Sequence, residues 1–299
     1  MVTIAVCTRN RQAYLERCCS ALIPQLGGDV EIITINDAST DGTAGSLASF
    51  HYAHRNVRII TLSEHAGVSG ARNAALRAAR GSLIVFTDDD CAPEPDWLCE
   101  ITAPFADPAV VCVYGQVFYR QRGYRGYFPE RCVENPGPRW PMTACIAYRT
   151  AALRAVGGFD PVFARYHNED TEVALRLAAV GALIPAPRAI VIHQPMDWTC
   201  RTLLASARNA SVWPILSRRY GDAIFRQRFR PPIRWRHVVN AEDYGYLLTL
   251  PLLIPILLIR YLLHGKRDFR IFFCKWPVWL VLRRLLVWRE AVRSRVFMV

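Results

Sequence analysis

The 299-residue sequence lacks several patterns that define common classes of protein. Its ten cysteines form no Cys-x-x-Cys pair and no zinc-finger spacing with histidine, which argues against a structural zinc site and against a disulfide framework. We therefore expect a reducing compartment. The sequence has no internal repeat or low-complexity segment. Met1 leads directly into the strand-like Val2–Val6, so we expect no signal peptide.

Acidic residues are scarce in the last third of the chain. Residues 1–200 carry 18 basic and 20 acidic side chains, a net charge of −2, whereas residues 201–299 carry 19 and 5, a net charge of +14. A basic, aromatic-containing segment of this kind can bind nucleic acid or an anionic membrane. Two apolar runs inside it, Tyr244–Leu263 and Ile271–Trp288, favour the membrane.

The first apolar run is long enough to cross a hydrocarbon layer of about 30 Å. A two-span hairpin would put the basic stretch His264–Arg270 outside, against the positive-inside tendency, and a single span would export the basic C-terminus. Two prolines in the first run suit shallow insertion. We therefore expect helices in the cytoplasmic interface, or re-entrant ones, with basic flanks on lipid headgroups. A true span and a soluble hydrophobic dimer interface are the alternatives.

Apolar runs alternate with helix-period segments over the first part of the chain. The runs, each read as a buried strand, are Val2–Val6, Val30–Ile35, Val57–Leu62 and Leu83–Thr87. Helical patterns such as Tyr14–Leu26 and Ser69–Ala79 lie between them. This alternation predicts βαβ units on a parallel, Rossmann-like sheet, with a nucleotide bound across the carboxyl edge of the strands.

Three consecutive carboxylates, Asp88, Asp89 and Asp90, follow the fourth predicted strand directly. They repel one another and need counter-charge, for which a divalent cation with a phosphorylated ligand is the natural candidate. The alternative is a polar loop after a core strand, with one Asp capping the next helix.

Two further polar residues lie where a nucleotide could be bound. Asp37 follows the second strand and could accept hydrogen bonds from a base or ribose, while Asp41 nearby is explained by helix capping alone. Arg72 lies in the flexible-looking stretch His65–Asn73 that enters a helix, and could contact a phosphate there. A solvated helix arginine is the alternative for Arg72.

Four fragments carry a resemblance to a known family. They read Thr8–Arg11, Asn36–Thr43, Gly67–Ala75 and Asp88–Asp90, each at a predicted strand end or helix start. Together, in this order, they resemble the donor half of a family 2 glycosyltransferase with the GT-A fold. The resemblance covers roughly residues 2–195.

The resemblance implies roles for the donor-side residues. The residues implied to bind the nucleotide sugar are Thr8, Asn10, Asp37, Arg72, Asp88 and Asp89. Within that set, Asp37 would contact the base and Asp88 would lie near the ribose. Asp90 would hold Mg²⁺ or Mn²⁺ against the diphosphate, where a cation stabilises the charge of the leaving group. Cys7 departs from the proline that the family usually has.

A second group of motifs resembles the acceptor half of the same family. Gly157–Asp160 matches G-G-F-D, and the helix start at Glu169 and Asp170 matches the family's E-D-x-D-L. The family's Glu-Asp pair carries the catalytic base, so the resemblance implies Asp170 as base, with Glu169 beside it. Helix-dipole and capping chemistry is the alternative for these acids. Glu172 and Cys145 depart from the usual Asp and Asn.

Two features near the acceptor half are less specific. His193 ends the strand-like Ala189–His193 and is either a structural hydrogen-bonding group or, as in some GT-A enzymes, a metal or diphosphate ligand. The loop Tyr119–Arg139 mixes arginine, tyrosine and glycine and either covers a sugar or acceptor or is simply mobile.

We therefore expect an α/β GT-A catalytic domain over residues 1–200, with a donor half of about 1–110 and an acceptor half of about 111–200. A C-terminal, membrane-associated helical region follows over 201–299. The predicted activity is a metal-dependent, inverting transfer of a sugar from a nucleotide-diphosphate donor to a glycan or lipid-linked acceptor at the cytoplasmic face of the membrane, without nucleic acid. The rivals are an inactive sugar-nucleotide-binding or scaffold protein, and a nucleic-acid binder that uses the arginine-rich run Arg226–Arg236.

Overall fold

The computed structural model describes residues 1–119, 134–164, 166–194, 198–221, 233–234, 237–263 and 269–299. The chain forms two compact units. The first is built from Met1–Arg120, Val133–Ala164 and Glu169–Gln194, and the second mainly from Pro195–Val299. The predicted loop Tyr119–Arg139 and the cationic run Arg226–Arg236 lie mostly outside the described residues.

An eight-stranded mixed sheet forms the centre of the first unit. Its strands are β1 (Val2–Thr8), β2 (Val30–Asn36), β3 (Val57–Thr61), β4 (Leu83–Asp88), β5 (Cys91–Pro93), β6 (Val110–Tyr119), β7 (Ile146–Arg149) and β8 (Ala182–His193). They lie in the order β3-β2-β1-β4-β7-β6-β8-β5. The first four strands are mutually parallel, as predicted.

Three of the four predicted parallel strands, β1, β2 and β4, are buried on both faces, whereas β3 at the edge of the sheet is only partly buried. Ile84 and Val85 of β4 are fully buried, as are Ile4 of β1 and Ile32 of β2. Strands rich in Val and Ile show this pattern where helices cover both faces of a parallel sheet.

The second half of the sheet is mixed. The short β7 lies antiparallel between β4 and β6, whereas β6 and β8 are parallel. Strand β5 adds antiparallel to β8, so that Cys91 lies opposite His193. This pairing brings the residue after the three carboxylates against the end of β8.

The helices of the first unit follow the strands in the predicted alternation. They are α1 (Gln12–Leu22), α2 (Thr43–Ala53), α3 (Gly67–Ala78), α4 (Trp97–Thr102), α5 (Thr150–Ala155), α6 (Pro161–Ala164) and α7 (Glu169–Leu177). Helix α1 ends before the predicted Leu26, and the chain continues as a 3₁₀ turn over Ile23–Gln25. Pro24 explains this, because proline has no backbone N–H with which to continue the i→i−4 hydrogen bonds of the helix.

The second unit is helical over most of its described part. Its elements are α8 (Cys200–Ser206), α9 (Val212–Tyr220), β9 (Ile233–Arg234), β10 (Val238–Val239), α10 (Glu242–Leu263), α11 (Phe269–Phe273), a π-helical segment (Cys274–Trp279) and α12 (Leu280–Arg293). Helix α10 is long and apolar enough to cross a membrane, and only 17% of its most apolar window is buried. Its inner face packs Leu257 and Tyr261 against Phe272 and Trp276.

Candidate active site

The carboxyl ends of β1, β2 and β4 meet at one edge of the first unit. Thr8 at the end of β1 lies opposite Asn36 of β2, and Cys7 lies opposite Asp88 of β4. Three of the sequence motifs therefore reach the same edge, where open α/β sheets bind ligands. Burial raises the pKa of the Cys7 thiol to about 12, so this departure from the family pattern adds no charge to the edge.

The carboxylate of Asp37, which follows β2, is buried and accepts hydrogen bonds from the residues at the start of α3. Its Oδ1 accepts a hydrogen bond from the N–H of Ala66 at 2.7 Å, and its Oδ2 accepts one from the N–H of Gly67 at 3.1 Å. His65 Nδ1 lies 2.7 Å from the same Oδ2. Asp37 therefore fixes the start of α3, and Oδ1, with one donor, keeps capacity for another, whereas Oδ2 already has two nitrogens within hydrogen-bond distance. Sequence reasoning did not single out His65.

Asn10 holds two loops together at the same edge. Its side-chain oxygen accepts a hydrogen bond from the N–H of Thr40 at 2.8 Å, and its own N–H donates to Ser39 Oγ at 3.0 Å. Its φ of 53° lies in the left-handed region, which asparagine tolerates better than most residues. Thr8 is buried nearby.

Arg72 links the two halves of the site. It is buried on α3, and its Nη2 donates to Asp88 Oδ1 at 3.2 Å. Its Nη1 donates to Glu169 Oε1, the first residue of α7. The guanidinium lies 5.7 Å from the ring centroid of Phe159. The predicted donor side and the predicted acceptor side are thus joined through one side chain.

Arg11 supplies counter-charge to the second and third carboxylates. Its Nη1 lies 2.5 Å from Asp90 Oδ2 and 3.7 Å from Asp89 Oδ1. Burial raises the pKa of Asp89 to about 7, with Asp90 adding to the rise and Arg11 opposing it. Sequence reasoning gave Arg11 no role, although its place at the end of the Thr8–Arg11 motif was an available signal.

Three side chains at the β5–β8 junction could hold a metal ion. Donor atoms of Asp90, Cys91 and His193 lie within 4.8 Å of one another, and all three residues are buried. His193 Nε2 lies 3.3 Å from Asp90 Oδ1. The N–H of Gln194 donates to the carbonyl oxygen of Asp90 at 2.7 Å, which fixes the two residues relative to each other.

The hydrogen bonding of His193 fits a cation. Its Nδ1 lies 2.7 Å from the carbonyl oxygen of Gln194, which can only accept, so Nδ1 carries the proton. In the neutral ring Nε2 then presents a lone pair to the carboxylate of Asp90. Two acceptors this close require a proton or a metal ion between them, and a backbone carbonyl on Nδ1 is the usual support for a metal-binding histidine. A carboxylate oxygen suits Mg²⁺ or Mn²⁺, and imidazole is a common ligand of divalent transition metals.

Asp170 lies beside the Arg72–Glu169 pair. Glu169 is 4% exposed, and its Oε2 has no hydrogen-bond partner among the residues described. Asp170 is half-buried and accepts a hydrogen bond from the N–H of Thr171 at 2.7 Å. Burial, together with the charge of Glu169, raises the pKa of Asp170 to about 7, while Arg72 opposes the rise. Such a carboxylate can take a proton near neutral pH.

Two departures from the family pattern have structural partners. Glu172 is fully buried, and its Oε1 accepts a hydrogen bond from Arg176 Nε at 3.0 Å one turn along α7. The Cys145 thiol accepts a hydrogen bond from Trp97 Nε1 at 3.2 Å. Both therefore stabilise the fold around the site.

The class of the protein follows from three features: the mixed sheet, the carboxylates at the end of β4 and the Asp90–His193 pair. They are the features of a GT-A glycosyltransferase. The chain belongs to glycosyl transferase family 2, whose sequence model matches residues 3–169. The predicted family, fold and enzyme class are confirmed.

Similar proteins agree with this class. The chain is 27% identical over 229 residues to a pre-mycofactocin glycosyltransferase of Mycobacterium tuberculosis, covering 67% of this chain and 45% of that protein, so it spans less than half of that relative's length. The mannosyltransferase PcManGT from Pyrobaculum calidifontis, solved with GDP-Man and Mn²⁺, superposes with a TM-score of 0.62 at 20% identity, covering 96% of this chain and 86% of that one. TarS of S. aureus, solved with UDP-GlcNAc, superposes with a TM-score of 0.54 at 18% identity, covering 72% of this chain and 66% of that one.

Proposed function

We propose that this glycosyltransferase moves a sugar from a nucleotide-diphosphate donor to a glycan or lipid-linked acceptor by direct displacement, with inversion at the anomeric carbon and Asp170 as base. The observation that carries the proposal is the Arg72 bridge. Because Arg72 contacts both Asp88 and Glu169, the acid next to Glu169 lies close to the strand edge at which a nucleotide would bind.

The surroundings of Asp170 suit a general base. Its pKa of about 7 leaves a useful fraction ionised at neutral pH and makes the carboxylate basic enough to accept a hydroxyl proton. Arg72 balances the charge of Glu169 and limits the rise in the pKa of Asp170. The proton would pass from the acceptor hydroxyl to Asp170 as the new glycosidic bond forms and the bond to the diphosphate breaks.

Asp90 and His193 are the residues that we propose to hold Mg²⁺ or Mn²⁺. The bound cation would stabilise the negative charge that the leaving diphosphate develops. Arg11 already lies against Oδ2 of Asp90, so Oδ1, the oxygen nearer to His193, is the one available to a metal. Arg11 also contributes a positive charge, at the oxygen of Asp90 that lies away from His193.

We assign the donor-side contacts to Thr8, Asn10, Asp37, Arg72, Asp88 and Asp89. Asp37 would accept a hydrogen bond from the base through Oδ1, which has only the N–H of Ala66 as a partner. The half-exposed Asp88 would lie at the ribose. The hydrogen bonds of Asn10 and the ion pairs of the buried Arg72 and Asp89 hold the surrounding loops in place, which reduces the entropic cost of binding.

We further propose that residues 1–200 form the catalytic domain and that 201–299 attach it to the cytoplasmic face of the cell membrane. The exposed apolar face of α10 and the basic surplus of the tail support this attachment. Interfacial or re-entrant helices fit the basic flanks better than a true span does.

Nucleotide-sugar turnover tests the proposal directly. The full-length chain, incubated with Mn²⁺ and a panel of uridine and guanosine diphosphate sugars, should release nucleoside diphosphate faster when a glycan or lipid-linked acceptor is present. The anomeric configuration of the product, read by proton NMR, should be opposite to that of the donor. A product of retained configuration would overturn the direct-displacement mechanism, and absence of turnover with every donor would overturn the activity.

A further inference from the structure

A buried cluster of basic side chains in the second unit lies where three elements meet. Arg284 on α12 is 1% exposed, and its Nη1 donates to the carbonyl oxygen of Val239 at 2.6 Å. Its Nη2 lies 2.9 Å from Asp243 Oδ2 at the start of α10. Arg283 lies beside it, with Nε 3.4 Å from the same carboxylate oxygen. One carboxylate thus faces two guanidinium groups.

A third basic side chain joins the cluster through Trp279. The Lys275 ammonium lies 3.3 Å from the centroid of the Trp279 ring, and the Arg283 guanidinium lies 4.8 Å from it. Burial and the charge of Arg283 lower the pKa of Lys275 to about 7, against the opposing charge of Asp243. Among the described residues, Asp243 acts on all three basic side chains and Glu242 beside it also acts on Arg283, so three basic side chains face two carboxylates in a largely desolvated place.

The hydrogen-bonding capacity of the cluster is also incomplete. Nε of Arg284 is buried and has no hydrogen-bond partner among the described residues, and Nη2, also buried, has only its ion pair with Asp243 and no well-oriented hydrogen bond. A buried guanidinium nitrogen without an acceptor is costly, and a phosphate group offers several oxygens in the geometry that guanidinium groups prefer.

The surface around the cluster is apolar. Helix α12 exposes a stripe at helical spacing, made of Val281, Leu285, Trp288 and Val292. Helix α10 exposes a second one, made of Leu248, Leu252, Ile256, Ile259 and Leu263. A nucleic acid would bring phosphates without hydrocarbon, and these stripes would then stay exposed to water. A lipid brings both a phosphate and acyl chains.

We propose that Lys275, Arg283 and Arg284 form a binding site for the phosphate of an anionic membrane lipid, with Trp279 as its floor and the two apolar stripes against the acyl chains. The inference rests on the proposed membrane attachment and adds to it a headgroup-specific contact. The proposed site lies in a part of the chain beyond the family match at residues 3–169.

Vesicle co-sedimentation of the full-length chain tests the site without using sugar transfer. Phosphatidylcholine vesicles would be compared with vesicles that also carry phosphatidylserine or phosphatidate, matched for surface charge. We expect the wild-type chain to bind the phosphatidate vesicles about tenfold more tightly than the phosphatidylserine vesicles, because an exposed phosphate monoester makes charge-assisted hydrogen bonds. Equal binding to the two anionic lipids would overturn the proposal and leave general electrostatic attraction.

A charge-matched pair of variants identifies the residues. Lys275→Gln/Arg283→Gln should abolish the preference for phosphatidate. The control Arg289→Gln/Arg293→Gln removes two exposed charges from α12, the helix that carries Arg283, and should keep the preference for phosphatidate. Loss of the preference in both variants would overturn the assignment to the cluster. If the double variant does not unfold cooperatively on heating, Lys275→Gln alone provides the same comparison.

Inorganic phosphate without vesicles distinguishes a lipid site from a site for free phosphate. We expect it to leave the unfolding temperature of the wild-type chain unchanged, whereas short-chain phosphatidate in solution should raise it. An equal rise with inorganic phosphate would overturn the lipid part of the proposal. Vesicle binding with the expected preference but no sugar transfer would leave the lipid site standing while the proposed enzymatic function fails.

Discussion

Asn73 and Phe159 exchange two hydrogen bonds across the first unit. The Asn73 side-chain nitrogen donates to the carbonyl oxygen of Phe159 at 2.7 Å, and the N–H of Phe159 donates to the Asn73 side-chain oxygen at 2.9 Å. Asn73 follows Arg72 on α3, and Phe159 belongs to the glycine turn that leads to α7. The exchange therefore fixes the helix that carries Arg72 against the segment that leads to Glu169 and Asp170.

The glycine turn gives a test of this connection. Gly158 has a φ of 69°, and a Cβ there would lie 2.5 Å from Asn73 Oδ1. Gly157 has a φ of 87°, but its Cβ would meet nothing closer than 4.0 Å. We expect Gly157→Ala to lower the free energy of unfolding by about 1 kcal/mol through backbone strain alone. Gly158→Ala should lower the free energy of unfolding by about 2 kcal/mol or more, because the two hydrogen bonds between Asn73 and Phe159 are also lost. Urea unfolding measures both, and equal losses would show that the exchange contributes little.

Replacing Arg72 should affect both stability and catalysis. In Arg72→Met, Glu169 stays buried without its partner, so we expect a loss of about 3–5 kcal/mol in the free energy of unfolding. Arg77→Met, on an exposed position of the same helix, is the control and should change stability by less than about 0.5 kcal/mol. Arg72→Lys keeps the charge but cannot span two carboxylates, so its turnover should fall even where the fold survives. Wild-type turnover in Arg72→Lys would contradict the bridging role.

Removing the proposed base should stop transfer and leave donor binding intact. We expect Asp170→Asn to lower kcat by about 10²–10⁴-fold, the usual contribution of general base catalysis. The dissociation constant for the nucleotide sugar, measured by calorimetry, should stay within about threefold of wild type. Asp29→Asn, at a carboxylate that is 90% exposed, serves as the control and should be fully active. Unchanged turnover in Asp170→Asn would refute the assignment.

The raised pKa of Asp170 predicts opposite effects of pH on activity and stability. The base acts in its ionised form, so kcat/KM should rise with pH and level off above about 7. A folded-state pKa above the ordinary value of 3.8 favours the protonated form, so this group's contribution to stability is lost as pH rises from about 4 to about 7. Asp170→Asn should therefore melt at a higher temperature than wild type at pH 8, and at a similar one at pH 4. A lower melting temperature at pH 8 would contradict this account.

The proposed metal pair predicts a dependence on divalent cations. Chelation with EDTA should abolish transfer, and Mn²⁺ or Mg²⁺ should restore it. We expect His193→Ala to raise the Mn²⁺ concentration at half-maximal rate by at least about tenfold. His54→Ala, at the end of α2, is the matched control. An unchanged Mn²⁺ requirement in His193→Ala would show that the imidazole is structural.

The parallel half of the sheet was predictable because its signals are local. Runs rich in Val and Ile, such as Val30–Ile35, bury both faces of their strand, and the change to polar residues marks the strand end within one or two positions. The antiparallel β7 was not predicted. It has only four residues, and its neighbours β4 and β6 are set by packing between segments far apart in the chain.

The types of residue in the candidate site could be predicted from the sequence, whereas the residues with which they form ion pairs could not. The acids at 88–90 and 170 are candidates on the strength of their motifs, but ion pairs depend on how separate helices cross. The sequence offers a phosphate as a partner for Arg72, and the structure adds that its guanidinium is buried between two carboxylates. Arg11 had no predicted role because arginine next to a strand end is usually solvated. Such pairings depend on three-dimensional proximity, which a single sequence does not contain.

The pairing of Cys91 with His193 makes the proposed metal site depend on β8. A nascent chain that ends before β8 would already have the three carboxylates and Arg11, yet it would lack the imidazole of His193. A cation that requires both side chains would bind only after the last strand has docked in register, and by linkage would stabilise that docking. Manganese uptake would then report that the protein had finished assembling its sheet.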